Sequence, residues 1–350
     1  MNLIQSLRRQ GQSVWLDGFE RGWISQGKLQ HTIDDGVRGV LLTFEGLKLA
    51  IQGQEYDRDF NVLTQQAVNR TARSDYDYIV KRDLQLAADL LKQVHSQTQG
   101  REGYVQVDFP PHALLQAETA IAEAQKIWQE VGWQNLMLRI PATPIMLPVI
   151  EQLIGDRINV NVTLVFSQQT YEQVFDVYLS GLERLIHQGE SANDVVCFTS
   201  FSIGRLDAAL HPLTSFGITQ AEILYQHFQN FCQNARWKAL RGRANPLRLV
   251  WDCTDIQPQD AWRYIQVLAF PGTAILLSKA TLEMYQQVSL LPMSVIGSKR
   301  VEQMLTNFPL VAIPLDELVD RLVDEEMTRS LNAFDRLLDQ IALKLDVQSP

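Results

Sequence analysis

Short apolar runs alternate with amphipathic segments along most of this chain, and the alternation predicts its fold. The apolar runs are rich in β-branched residues and nearly continuous, as expected of parallel strands that are covered on both faces. We predict strands at Ser13–Phe19, Val37–Phe44, Tyr104–Phe109, Asn135–Ile140, Ile158–Phe166, Asp194–Ile203, Leu247–Cys253 and Val267–Leu277.

The segments between these runs place apolar side chains at helical spacing. Asp83–Gln97, Leu114–Val131 and Tyr171–His187 each carry an apolar stripe along one face. Strands that alternate with helices predict an α/β fold, a (β/α)8 TIM barrel. A doubly wound sheet is the competing architecture. The lack of a Gly-x-Gly-x-x-Gly motif after the first predicted strand argues against its dinucleotide-binding form.

The pattern changes near the carboxyl terminus. Leu315–Glu326 and Thr328–Leu345 have the regular apolar spacing of helices. We therefore predict a barrel over residues 1–296 and a C-terminal helical extension, packed on the barrel, over residues 297–350. An amphipathic helix can also bind a protein partner, which is the alternative for this extension. The sequence does not name such a partner.

Composition narrows the class of protein. The net charge is −9 and the pI about 5.2, so no basic surface for nucleic acid is expected. No apolar run is long enough to span a bilayer, and the first residues lack a signal core. Three scattered cysteines suit a reducing compartment, so we expect a cytoplasmic protein without a membrane partner. The histidines show no metal-binding spacing, and we predict no metal and no cofactor.

Several motifs follow one another in a characteristic order. They are Gln12–Asp17, Asn135–Thr143, Asn159–Ser167, Tyr178–Glu183 and Ala333–Leu338. In this order they resemble strands and helices of the long bacterial and plant-type transaldolases over nearly the whole chain. The resemblance implies a TIM barrel and a place in carbohydrate metabolism, in the pentose phosphate pathway. In that family a lysine forms a Schiff base with a ketose phosphate.

Four residues match the site of that family. The resemblance implies that Asp17 works on the substrate hydroxyl and that Thr163 helps to hold the catalytic water. It also implies that Ser200 lines the pocket and that Arg205 grips the substrate phosphate. A guanidinium suits phosphate geometry, which gives Arg205 a physical reason to be kept.

Other positions depart from the family pattern. Thr43 stands where an asparagine would position the substrate, and Asp108 stands where a catalytic glutamate is expected. Arg139 occupies the position of the Schiff-base lysine. The end of the seventh strand and the residues after it contain Asp252 and Asp255, which would repel a phosphate placed beside them. The classical catalytic set is therefore not intact.

Arg139 poses the main question about the site. A guanidinium is effectively never deprotonated in a protein and cannot act as a nucleophilic amine. Because a buried cation needs partners, one hypothesis is a salt-bridge cluster with Asp17, Asp108 or Asp252. The other is an anion site, in which Arg139 and Arg205 face a small phosphorylated or carboxylated ligand.

Two functional hypotheses stay open. The first is a non-catalytic transaldolase homologue with a binding, scaffold or regulatory role. The second is a sugar-phosphate enzyme of transaldolase or aldolase type with weak or altered activity, for which Lys279, after the last predicted strand, is a conceivable replacement amine.

Overall fold

The strands close into a parallel barrel, as the sequence predicts. The computed structural model describes residues 2–65, 70–210, 216–231, 233–285, 287–288 and 315–348. Strands β1 to β8 are joined in sequence order, which confirms the (β/α)8 fold class. The strands are β1 Ser13–Asp17, β2 Gly39–Leu42, β3 Tyr104–Asp108, β4 Leu136–Pro141, β5 Val160–Val165, β6 Cys197–Ser202, β7 Arg248–Asp252 and β8 Ala274–Ser278.

Helices follow most of the strands, as the helical spacing predicts. The described helices are α1 Leu3–Arg9, α2 Arg21–Ser25, α3 Lys28–Asp35, α4 Phe44–Ala50, α5 Asp57–Gln65, α6 Ala72–Gln97, α7 Ala117–Val131, α8 Met146–Gly155, α9 Gln168–His187, α10 Ile203–Ala209, α11 Phe216–Phe231, α12 Ala235–Leu240, α13 Ala261–Val267, α14 Lys279–Tyr285 and α15 Leu315–Gln348. The two C-terminal helices of the prediction are one continuous helix, α15. Among the described residues, no helix has both the length and the apolar character needed to span a membrane.

The predicted start of the eighth strand was wrong. Val267 ends helix α13, and β8 begins only at Ala274. A turn separates the two elements, with Gly272 at a φ of 79°. Apolar residues run from the end of the helix through Phe270 into the strand, and the buried Phe270 packs on Tyr225 with ring centroids 4.4 Å apart. Hydrophobicity alone therefore could not locate this boundary.

Contacts group the chain into two compact units. The first unit comprises Met1–Leu16 and Arg139–Glu326, and the second comprises Asp17–Leu138 and Met327–Pro350. The predicted boundary between residues 296 and 297 lies outside the described residues, so the domain division stays a prediction.

The core of the first unit is aromatic at the amino end of its strands. Trp15 and Phe198 are buried and lie with ring centroids 5.1 Å apart. The guanidinium of Arg248 lies 5.2 Å from the Phe198 ring and donates a 2.8 Å hydrogen bond to Ser13 Oγ. These contacts fill this end of the first unit and leave the carboxyl ends of its strands as the place for a site.

In the second unit, α15 packs through a buried aromatic cluster. Phe334 is fully buried, with ring centroids 4.9 Å from Phe44 and 5.0 Å from Tyr76. Farther along α15, Lys344 Nζ donates to the carbonyl oxygen of Ile51 at 2.7 Å. The end of the chain is therefore tied to the helix after β2.

A buried charged cluster joins α2, α5 and α6 in the same unit. Arg21 pairs with Asp59 at 2.6 Å and also with Asp83, which accepts a 2.8 Å hydrogen bond from the Tyr56 hydroxyl. Burial raises the pKa of Asp83 to about 6, against the opposing effect of Arg21. Because each charge has a partner, the cluster fixes how these helices pack.

Candidate functional site

Arg139 lies near the carboxyl end of β4, and its side chain is only 12% exposed. Its neighbours Leu138 and Ile140, which point to the other face of the strand, are fully buried. Arg139 Nη2 lies 3.5 Å from Oδ2 of Asp252, the last residue of β7. The distance is that of an ion pair rather than of a short hydrogen bond.

Asp252 is held from its other side by the loop that follows β7. Its Oδ1 accepts a 2.7 Å hydrogen bond from the Thr254 hydroxyl and a 3.2 Å hydrogen bond from the Thr254 backbone N–H. One carboxylate oxygen therefore organises the loop while the other faces Arg139. This division fixes the Asp252 side chain in the orientation that the ion pair uses.

A second charged group surrounds Arg205 of α10. Arg205 Nε lies 2.8 Å from Asp255 Oδ2 and 2.9 Å from Glu326 Oε1. Asp255 follows β7, whereas Glu326 lies on α15. The approach of the Asp255 loop depends on Gly204, since a Cβ there would lie 3.2 Å from Asp255 Cβ and 3.0 Å from Ile256.

The acids around Arg205 hold their protons more tightly than usual. Burial raises the pKa of Asp255, and the neighbouring Asp252 raises it further against the effect of Arg205. Burial also raises the pKa of Glu326 to about 7; Arg205 opposes this rise, and Asp255 and Asp252 add to it. The three carboxylates therefore interact with one another as well as with the arginines.

These two groups form one charged set in the first unit. It contains the guanidinium groups of Arg139 and Arg205 and the carboxylates of Asp252, Asp255 and Glu326. With all of them ionised, two positive and three negative charges leave a net charge of −1. An incoming phosphate would therefore meet carboxylates beside both cations.

Ser200 and Thr163 lie on neighbouring strands of the same unit. Ser200 is fully buried, and its hydroxyl donates a 3.0 Å hydrogen bond to the side-chain oxygen of Asn161. Thr163 lies at an irregularity of β5, where the register with β6 shifts and Leu164 has a φ of 57°. A left-handed backbone is costly for a bulky residue, and such bulges occur often beside active sites.

Asp17, Thr43 and Asp108 belong to the second unit. Asp17 and Asp108 are the last residues of β1 and β3, and both are partly exposed. Thr43 precedes α4, and its hydroxyl accepts a 3.1 Å hydrogen bond from the N–H of Gly46 as the helix cap. A pairing of Asp17 or Asp108 with Arg139 stays a prediction, as do the functional roles of all these residues.

Glu326 was missed by the sequence analysis as a site residue. It is the last residue of the acidic run Asp324–Glu326 on an amphipathic helix. The sequence pattern does not distinguish it from the two exposed acids before it. Only the packing of α15 brings its carboxylate to Arg205. Asp255 was noted for its charge, but its ion pair with Arg205 was not foreseen.

Other reactive side chains give no alternative centre among the residues described. Cys197 and Cys253 are buried free thiols, and burial raises the pKa of each. Such thiols are poor nucleophiles, because the thiolate is the reactive form. In the described part of the chain, no group of three or more His, Cys, Asp or Glu side chains is arranged to hold a metal ion.

Comparison with known proteins extends the resemblance to the whole chain. The family model described as Transaldolase/Fructose-6-phosphate aldolase matches residues 14–341. A transaldolase of Trichodesmium erythraeum is 27% identical over 379 aligned residues, covering 100% of this chain and 99% of the relative. Transaldolase 1 of Streptomyces avermitilis is 30% identical over 368 residues, covering 98% and 97%. With the barrel and these matches in agreement, the chain belongs to the transaldolase and fructose-6-phosphate aldolase family.

Proposed function

We propose that this chain is a transaldolase-family protein without the family's Schiff-base chemistry, with a binding, scaffold or regulatory role. The observation that carries the proposal is Arg139, at the position where the resemblance expects the nucleophilic lysine. A guanidinium keeps its proton and cannot attack a carbonyl group. The guanidinium forms an ion pair with Asp252 at 3.5 Å.

Other residues that the resemblance assigns to the site support the same proposal. The hydroxyl of Thr43 caps α4 through Gly46, and the hydroxyl of Ser200 is engaged with Asn161. Asp108 has a shorter side chain than the glutamate of the family, which reduces the reach of a general base. Reactivation would therefore need several changes, not one.

A replacement amine for the lysine finds little support. Lys279 is exposed at the first position of α14, whereas a Schiff-base lysine works in a desolvated pocket. Lys48 pairs with Glu45 on the exposed surface of α4. For Lys126, burial lowers the pKa, but its 2.6 Å pairing with Asp77 outweighs this effect and leaves the pKa raised. A Schiff-base lysine needs a lowered pKa.

The alternative is an enzyme that acts on sugar phosphates weakly or by other chemistry. Arg205 favours it, because this residue keeps a guanidinium where the resemblance expects phosphate recognition. The same residue also makes a small phosphorylated or carboxylated molecule our proposed ligand. The scattered cysteines suit a reducing compartment, so we propose that the protein is cytoplasmic.

A transfer assay tests the proposal. Wild-type protein and the Arg139→Lys variant would be supplied with fructose 6-phosphate and an aldose phosphate acceptor, beside the Trichodesmium erythraeum relative as a positive control. We expect no turnover by the wild type, and none by Arg139→Lys, because Asp108 and Thr43 also differ from the family. Turnover by the wild type at a rate close to that of the control would refute the non-catalytic role.

A further inference from the structure

Two carboxylates from distant parts of the sequence meet at one edge of the Arg205 guanidinium. Asp255 comes from the loop after β7, at 2.8 Å from Nε, and Glu326 comes from α15, at 2.9 Å from the same atom. The Glu326 side chain is 19% exposed and that of Arg205 is 26% exposed. The contact is therefore part of the packed protein and not a loose surface pair.

The Glu326 carboxylate lies within ion-pair distance of the same guanidinium that an external oxyanion would bind. Phosphate-type ligands engage a guanidinium through its N–H edge, with oxygen atoms at hydrogen-bond distance from the nitrogens. Glu326 Oε1 already lies at such a distance from Nε. A ligand that uses this edge would have to displace Glu326 or bind beside its negative charge.

We infer that Glu326 is an internal anion that closes the Arg205 site, and that the site accepts a phosphate-type oxyanion only when the Glu326 carboxylate is neutralised. The inference shares the anion site with the proposed function but does not depend on the loss of Schiff-base chemistry. It assigns a gating role to a residue of the C-terminal helix.

The charges around Glu326 explain why this contact can open. Arg205 attracts the carboxylate, while Asp255 and Asp252 of the first unit and Glu325 of α15 itself repel it. Arg139 acts mainly on Asp252 and Asp255. Asp255 and Glu326 approach the same nitrogen of Arg205, Nε, and therefore repel each other. A proton on Glu326 relieves this repulsion.

Protonation of Glu326 falls in the neutral range. Burial, with the help of the neighbouring acids, raises the pKa of Glu326 to about 7. Below that pH the neutral carboxyl group no longer competes as an anion for Arg205, and above it the site is closed. Oxyanion binding should therefore become stronger as the pH falls through this value.

Sulfate is the suitable probe, because its charge stays constant through the neutral range whereas that of phosphate changes. Its dissociation constant would be measured by calorimetry at constant ionic strength from about pH 5.5 to about pH 8.5. For the wild type we expect binding to weaken on going to the upper end by roughly tenfold or more, the usual scale of coupling between two sites. This measurement needs no variant, so it does not depend on the folding of one.

Three variants test which side chain causes the pH dependence of sulfate binding. Glu326→Gln should bind sulfate at the upper pH about as tightly as the wild type does at the lower pH, with little pH dependence. Glu325→Gln, which removes the weakest of the acids that repel Glu326, should keep the pH dependence of the wild type, with its midpoint moved slightly to lower pH. Arg205→Gln should lose the binding at every pH.

Several results would overturn the inference. Sulfate affinity of the wild type that does not change with pH is one, and indistinguishable behaviour of Glu326→Gln and Glu325→Gln is another. Sulfate binding by Arg205→Gln equal to that of the wild type would place the probe elsewhere and also refute it. None of these titrations involves a sugar or turnover. Their results can therefore refute the role of Glu326 without affecting the proposed non-catalytic role, and the transfer assay can refute the non-catalytic role without affecting that of Glu326.

Discussion

Arg139 Nη2 lies 3.5 Å from Asp252 Oδ2, and both side chains are nearly buried, at 12% and 11% exposure. In the transaldolase resemblance, Asp252 is an added carboxylate and Arg139 takes the place of a lysine, so both count as departures under the proposed function. Two departures that look independent in the sequence therefore face each other in the fold. Because this charged pair has so little access to water, the stability of the protein is expected to depend strongly on both of its members.

The first prediction concerns this dependence. Asp252→Asn leaves the Arg139 charge with one partner fewer, so we expect a loss of about 2 kcal/mol in the free energy of unfolding. Arg139→Met should also destabilise the protein. In the double variant the losses should not add, with a coupling of about 1 kcal/mol. The measurement is chemical denaturation of the four proteins.

Thr254→Val is the matched control for this cycle. It removes the hydroxyl that donates to Oδ1 of Asp252 but leaves Oδ2, the oxygen that faces Arg139. Its effect should be largely additive with that of Arg139→Met. If the losses of Arg139→Met and Asp252→Asn add in the double variant, the ion pair between these residues contributes nothing to the free energy of unfolding.

The second prediction is a pH dependence of stability. The pKa of Glu326 is raised from its ordinary 4.5 to about 7 by burial. Between these values the folded protein keeps a proton that the unfolded chain releases, so stability from this group falls as the pH rises and then levels off. The glutamine of Glu326→Gln carries no titratable proton. The unfolding free energy of this variant should therefore fall less with pH than that of the wild type, and above neutral pH the variant should be the more stable of the two.

Glu325→Gln serves as the comparison, because Glu325 is 62% exposed and pairs only loosely with Arg321, at 3.7 Å. Its stability should still fall between about pH 4.5 and about pH 7 as that of the wild type does, with a slightly smaller slope because Glu325 is the weakest of the acids that raise the pKa of Glu326. Denaturation midpoints measured across this range give the slopes. Parallel curves for the wild type and Glu326→Gln would rule out a raised pKa of Glu326.

The third prediction concerns the anchoring of α15. Phe334 is fully buried against Phe44 and Tyr76. Phe334→Ala removes a buried ring and should cost about 3 to 5 kcal/mol of unfolding free energy. Leu343→Ala, at a position of the same helix that is 58% exposed, should cost less than about 0.5 kcal/mol. Equal losses would mean that α15 does not pack through this face.

Much of the fold could be predicted from local pattern. The apolar runs predict the positions of β2 to β7, with ends that differ from the observed ones by at most three residues. The start of β8 could not be found in this way, because Val267 and Phe270 continue the apolar run through the end of a helix and a turn. The prediction also divided α15 into two helices between Glu326 and Thr328, whereas the structure has one continuous helix.

The charged site was only partly predictable. Arg139 departs from the pattern within a single motif, so the sequence alone drew attention to it. The contact of Glu326 with Arg205 joins residues that lie far apart in the chain, and it depends on how α15 packs. Side-chain contacts of this range come from tertiary structure, which neither spacing nor motif encodes.

The most direct test of the central claim is the intact mass of the protein after incubation with fructose 6-phosphate and sodium borohydride. Borohydride reduces a Schiff base to a stable amine, so any lysine that reacts as in the family gains mass. The added mass is that of the reduced sugar phosphate before cleavage, or that of a reduced dihydroxyacetone unit after the aldose phosphate has left. We predict an unchanged mass for the wild-type protein, while the Trichodesmium erythraeum transaldolase treated in parallel gains the adduct. A stable adduct on the wild-type protein that maps to one lysine would contradict the account.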